Sequence, residues 1–261
     1  MPRMPTIHHL NCGTLHVPPG PVAICHCLLL EDPDGLVLID TGIGLHDVRD
    51  PRGRIGQTLI DVAGFNFNEA DTAVRQIERR GFNPAAVTDV VLTHCDPDHT
   101  GGLADLPRAR VHVSAEERAA VENRNIRYLP SHFAHGVRWA QYAPSSTQKW
   151  FGLEARRLML SIDAQVLLVP LFGHTAGHCG VAIRNGDRWL LHAGDAYYLR
   201  GELASDDHPV SQLAARNAVD DVRRRATLEI VRKLAREHGE EIEMFGYHDS
   251  GEFPGNEGPA R

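Results

Sequence analysis

Val22–Leu30 is a nearly unbroken run of apolar, β-prone residues, and a second short run spans Leu36–Asp40. Asp32, Pro33, Asp34 and Gly35 supply the turn between them, so the pair predicts a β-hairpin. Asn68 reads as an N-cap, with Ala70, Ala73, Val74 and Ile77 at helical spacing up to Gly81. Val87–Thr93 predicts a short strand that ends at His94. Ser114 with Glu117 forms a capping box, opening a helix to about Asn123. Residues 124–157 have no clean period but carry Tyr128, Phe133, Trp139, Tyr142, Trp150 and Phe151. Ala164–Val169, Gly180–Arg184 and Arg188–Leu191 read as strands, the last two joined by an Asn185-Gly186 turn. Val219–Glu237 is the longest predicted helix, with Val222, Leu228, Val231 and Leu234 at apolar positions, and Ile242–Phe245 is a last strand. Strands that come in hairpins, interrupted by helices, predict mixed sheets with helices over their outer faces. With no internal repeat and no long linker, residues 1–250 read as one domain. A polar, Gly/Pro-rich tail over 251–261 predicts loose chain.

Composition narrows the class. The 261 residues include 27 Lys+Arg and 34 Asp+Glu, a formal charge of −7, with 42% hydrophobic and 23% charged residues. These are ordinary values for a folded chain, which excludes general disorder. The acidic balance argues against a nucleic-acid or anionic-membrane surface, and no apolar run approaches the roughly 20 residues of a membrane helix. The N-terminal MPRMPTIHHLNCG lacks the apolar stretch of a signal peptide, which predicts a cytoplasmic protein. Five cysteines, an odd number in a chain of this length, do not make a disulfide framework. Histidine stands out at 16 residues against five Tyr and three Trp. It serves as metal ligand and proton shuttle, so the grouping of these 16 matters more than their number.

Four short segments at the ends of predicted strands carry the histidines and carboxylates of interest. They are Thr93-His94-Cys95-Asp96-Pro97-Asp98-His99, Gly173-His174-Thr175-Ala176-Gly177-His178, Leu191-His192-Ala193-Gly194-Asp195 and Tyr247-His248-Asp249. Four potential ligands within six residues of the first segment repel one another unless a positive charge sits among them. Imidazole and carboxylate together are the donors a divalent metal takes.

In this order the segments resemble the metallo-β-lactamase superfamily, whose signature H-x-H-x-D-H precedes separate His, Asp and His ligands. Leu38-Ile39-Asp40-Thr41-Gly42 also matches, with its Asp supporting the metal site from behind. The resemblance runs from about Cys25 to His248. It implies an α/β fold, the αββα four-layer sandwich, with the site at one edge between the two sheets. It also implies two divalent metal ions, zinc first and iron or manganese as alternatives. His94 and His174 match ligands of the first metal, Asp98, His99 and His248 match ligands of the second, and Asp195 matches the bridging carboxylate. The second His of the signature is Asp96 here. A carboxylate still ligates, but it makes the first site harder and more anionic. That weakens zinc there, favours iron or manganese, or leaves the site partly filled.

The activity implied is hydrolysis by a metal-bound hydroxide, with Asp98 also orienting the attacking water. Tyr198 lies three residues after Asp195, as in the superfamily's acyl-homoserine lactonases, where that phenol contacts the lactone carbonyl. The expected substrate is a small molecule with a lactone or other ester bond, and residues 124–157 are either a lid over its apolar part or satellite core. Oligomeric state stays open. Two other readings remain: an iron-dependent, dioxygenase-like redox enzyme on the same fold, and a metal-poor binding protein in which Asp96 has disabled the first site. His178 reads equally as a supporting or a packed residue. Cys25 and Cys27 read as inert buried thiols, Cys95 as a non-ligand, and His8, His9 and Cys12 as an ordered N-terminal segment rather than a third site.

Overall fold

A computed structural model describes residues 3–17 and 20–254. Strands β1 (Thr6–His16), β2 (Val22–Asp32), β3 (Gly35–Ile39), β4 (Phe65–Asn66), β5 (Val87–Val91), β6 (Arg110–Ser114) and β7 (Arg138–Tyr142) form one sheet, ordered β4-β1-β2-β3-β5-β6-β7. β8 (Lys149–Trp150) and β9 (Leu153–Glu154) make a separate small hairpin. β10 (Arg156–Arg157), β11 (Val166–Pro170), β12 (Cys179–Asn185), β13 (Arg188–His192) and β14 (Ile242–Phe245) form the second sheet in chain order. The predicted β2–β3 hairpin is present and antiparallel, whereas β3, β5, β6 and β7 run parallel.

The near-continuous apolar run of β2 follows from burial on both faces. Leu28 and Leu30 point between the sheets, where they meet Val166, Leu168, Val181 and Ile183. Cys27 and Leu29 point outward beneath the helix Ala73–Arg79, with Val74 and Ile77. Outside the second sheet, Leu167, Val169 and Leu191 pack against Leu228, Val231 and Leu234 of the helix Asp221–Glu237. Helix, sheet, sheet and helix are thus the four layers of an αββα sandwich.

Several predicted elements change. Asn68 caps only a 3-10 turn, Glu69–Asp71, and Thr72 in extended conformation starts the true helix. Val222 is not on the buried stripe but 82% exposed. It lies nine residues before Val231, half a turn away at 100° per residue. The aromatic side chains of 124–157 pack as satellite core, while Ile126, Arg127 and Leu129 of the same segment line a cavity. Phe133 and Trp139 pack against the first core, Trp150 and Phe151 against the third, and Tyr142 lies on β7. The chain after Gly251 begins ordered. Glu252 closes a short turn and accepts from Gly246 N at 2.8 Å and Tyr197 OH at 3.0 Å. Residues 255–261 lie outside those described.

Candidate metal centre

The parallel strands β3 and β5, together with β11, β13 and β14, deliver their following loops to one edge of the sandwich. His94 and the helical turn Pro97–Thr100 follow β5, His174 follows β11, Asp195 follows β13 and His248 follows β14. The structure therefore brings together all seven residues matched to ligands.

They form two groups joined by Asp195. In the first, Asp96 Oδ2 lies 3.2 Å from His94 Nε2 and 3.0 Å from His174 Nε2, and His174 Nε2 is 3.3 Å from Asp195 Oδ2. In the second, His248 Nε2 lies 3.6 Å from Asp98 Oδ2 and 3.3 Å from Asp195 Oδ2, and His99 Nε2 is 3.4 Å from Asp195 Oδ1. A tetrahedral ion with bonds of about 2.1 Å holds its donors roughly 3.4 Å apart, so both groups have the right spacing. His94 Nε2, His99 Nε2 and Asp195 Oδ1 are buried without hydrogen-bond partners. Buried polar atoms are normally paired, and three orphans aimed into one cluster fit a pair of cations.

The outer nitrogens of three of the imidazoles are held in place. His99 Nδ1 donates to Asp40 Oδ2 at 2.9 Å, His248 Nδ1 to the Ile24 carbonyl at 3.0 Å, and His94 Nδ1 lies 3.0 Å from Thr93 Oγ1. Each bond leaves the Nε2 lone pair facing the cluster. Asp40 also accepts from Thr93 N at 2.9 Å and Thr93 Oγ1 at 2.8 Å, and sits at φ 53. That left-handed backbone is a strained conformation for a non-glycine residue, and the three hydrogen bonds hold it. Burial alone favours a neutral Asp195, yet His248, His99 and His174 keep it ionised, well below the usual carboxylate range. His99 goes the other way: burial opposes charge on the ring, but Asp40, Asp195 and Asp98 raise it well above an ordinary imidazole. The cluster draws positive charge.

His178 supports the site. Its Nδ1 donates to the Leu171 carbonyl at 2.8 Å, so Nε2 accepts from Asp195 N at 2.9 Å. Gly194 permits this approach, because its φ is 55 and a Cβ there would stand 2.6 Å from His178 Nε2. Tyr198 lies buried between the outer ligands, its ring 5.9 Å from that of His174 and 5.3 Å from that of His248. Asn217 Nδ2 donates to its hydroxyl oxygen at 3.3 Å. Burial first, then the Asp195 charge, push the phenol well above its ordinary pKa, so it keeps its proton. Cys25, Cys27 and Cys95 are buried free thiols outside the ligand groups, and β1 places His8 on Glu31 and His9 on His26.

Sequence reasoning missed three residues. Glu117 reads as a capping partner, but its carboxylate leaves the cap and accepts from Cys95 N at 2.8 Å, Thr175 Oγ1 at 2.7 Å and Gly177 N at 3.1 Å, and also from Tyr128 OH. It thereby ties the first ligand loop to the second. Tyr247 stacks on His99 at 3.8 Å and donates to the Asp98 carbonyl at 2.7 Å. Arg127 grips both oxygens of Asp96. Only the unexpected carboxylate at 96 hinted that a cation had to lie nearby. Beside the cluster opens a cavity of about 630 Å³, walled by apolar groups such as Leu15, Ile55, Phe65, Ile126, Leu129 and Leu213.

Two stacked sheets with paired His/Asp groups at their common edge define a class, the metal-binding αββα sandwiches. Residues 20–232 match the family model of the metallo-beta-lactamase superfamily, and the chain belongs to that superfamily. A probable metallo-hydrolase of Mycobacterium tuberculosis is 45% identical over 202 residues, covering 76% of this chain and 64% of the relative. The N-acyl homoserine lactonase AttM of Agrobacterium fabrum is 30% identical over 176 residues, covering 66% of this chain and 64% of its own length. The chain thus spans just under two thirds of these curated relatives. A solved N-acyl homoserine lactone hydrolase, with N-hexanoyl-L-homoserine bound at its catalytic metal centre, superposes with a TM-score of 0.70 at 17% identity. That match covers 96% of this chain and 95% of the other, and it shares the fold.

Proposed function

We propose that this protein is a metal-dependent hydrolase that opens a lactone or other ester bond of a small molecule with an apolar acyl part. The observation that carries the reading is a pair of donor groups at the polar end of an apolar cavity. One is His94, Asp96 and His174, the other Asp98, His99 and His248, and Asp195 is grouped with His94 and His99 between them. His94, Asp96, His174 and Asp195 would hold one divalent ion, and Asp98, His99, His248 and Asp195 the other. Zinc suits these donors, with iron or manganese as alternatives. Bound there, such ions polarise a carbonyl and make water a nucleophile near neutral pH.

The protein's own groups do the rest. The cavity takes the acyl part and keeps bulk water from the reacting bond. Asn217 occupies a lone pair of the Tyr198 oxygen, which leaves the phenol proton free to donate to the substrate carbonyl as negative charge grows there. Asp98, held through its carbonyl by Tyr247, orients the attacking water, takes up its proton and returns it to the alcohol oxygen that leaves as the acyl C–O bond breaks. The lactonase relatives support this reading of the substrate class. Among the described residues no helix is long and apolar enough to cross a membrane.

The test combines elemental analysis of the purified protein with a panel of lactones and esters of increasing acyl length. Hydrolysis that rises with acyl length and vanishes in Asp195→Ala and His174→Ala proteins is expected. Both variants folded and fully active would overturn the mechanism. A second reading, iron-dependent redox chemistry, draws on one observation, the carboxylate at 96, and predicts bound iron with oxygen consumed during turnover.

A further inference from the structure

The two groups of donors are alike in ligand chemistry but not in their surroundings. Arg127 is mostly buried and sits at the first group, where Nε and Nη2 grip the two oxygens of Asp96. Nη2 also lies 2.8 Å from His174 Nε2. A guanidinium only donates, so this contact uses a lone pair of His174, the one that would otherwise face a metal. Asp96 Oδ2 and His174 Nε2, 3.0 Å apart, therefore converge on the same nitrogen of Arg127. The other arm, Nη1, is tied to the Asn217 carbonyl at the end of the helix Ser211–Asn217, so the side chain is fixed at both ends. At the second group, Asp98 has imidazoles beside it, and among the described residues it pairs with no Arg or Lys.

We propose that Arg127 makes the two metal sites unequal, standing as a resident cation at the first so that the second binds its ion more tightly and fills first. The inference rests on the metal-dependent reading above. Two effects act together. The guanidinium occupies donor capacity on Asp96 and His174 that an ion at the first site needs in full. Its fixed positive charge also offsets the carboxylate that replaced the expected imidazole. The substitution that made the first site more anionic is thereby neutralised by a residue 31 positions further along the chain. Arg127 thus governs how readily the first ion is gained and lost, while Asp98, His99 and His248 retain theirs.

The experiment is a calorimetric titration of chelator-stripped protein with zinc alone, followed by elemental analysis after dialysis against graded chelator. The wild-type protein should show two separate affinities and release one equivalent well before the other. In Arg127→Gln the weaker affinity should strengthen by about tenfold or more, so that the two release steps draw together. Arg127→Lys, which keeps a charge without the two-pronged grip, should fall between them. Two equal affinities in the wild-type protein would overturn the proposal whether or not the variants fold. So would an Arg127→Gln protein, folded by circular dichroism, whose weaker affinity is unchanged or reduced. Zinc bound by neither protein would defeat the metal-dependent reading itself, an outcome distinct from two equal sites.

Discussion

Tyr198 shows how a residue can be placed by its neighbours without being a ligand. Its phenol stays protonated because burial and the Asp195 charge disfavour the phenolate, and Asn217 donates to its oxygen, a contact that does not use that proton. Tyr198→Phe should therefore lower kcat on a lactone about a hundredfold, with KM and melting temperature nearly unchanged. Equal losses in kcat and thermal stability would show a packing role instead. The seven candidate ligand residues were legible in the sequence because each sits in a short segment with its own dense signature, and the structure places them at one edge of the sandwich. Glu117, Tyr247 and Arg127 were not legible. Each meets the site through contacts between distant segments, 22, 149 and 31 residues apart in sequence, which no local pattern records. Glu117 was even misassigned. Its position three residues after Ser114 satisfies a capping pattern, but buried backbone donors at Cys95 and Gly177 compete for its carboxylate and win.

The elements follow the hydrophobic pattern where burial is one-sided or complete, and depart from it where the chain must turn. β2, β3, β12 and β13 were readable from apolar runs and their turns. β1, β6 and β7 were not, because β1 alternates with histidines and polar residues, and β7 is an edge strand only partly covered. In the helix Asp221–Glu237 the misread position is Val222, on the face opposite Val231. Two substitutions separate the faces. Leu234→Ala should cost about 2–5 kcal/mol of unfolding free energy, since Leu234 is buried against the second sheet. Val222→Thr should stay within about 0.5 kcal/mol, as an exposed position allows. Urea unfolding of both variants measures the contrast.

For the molecule as a whole, burial of the histidines away from the metal cluster makes stability depend on pH. His26 stacks on Phe245 at 4.1 Å, and burial, then His192 and His9, lower its pKa to about 2. His9, 2.8 Å from it, is lowered to about 4 by burial, then by His192 and His8. The unfolded chain protonates both near 6.5 while the folded protein keeps them neutral. Their contribution is therefore complete above about pH 6.5 and is lost as the pH falls, down to about 4 for His9 and about 2 for His26. The melting temperature should drop across that window, and less steeply in His26→Gln; parallel curves would contradict this account. The placement of the metal centre has a consequence of its own. Its donors come from both sheets: His94, Asp96, Asp98 and His99 from the first, and His174, Asp195 and His248 from the second. Ions held there would act as a clasp across the seam between the two half-molecules, adding to the apolar packing and to the cross-seam hydrogen bonds of Glu117, Tyr247 and His248. Adding zinc to the stripped protein should slow amide hydrogen exchange in β5 and β13 on the two sides of that seam, and should leave the exposed face of Asp221–Glu237 unaffected. The centre that would break a substrate's bond would then also bind the protein's two halves to each other.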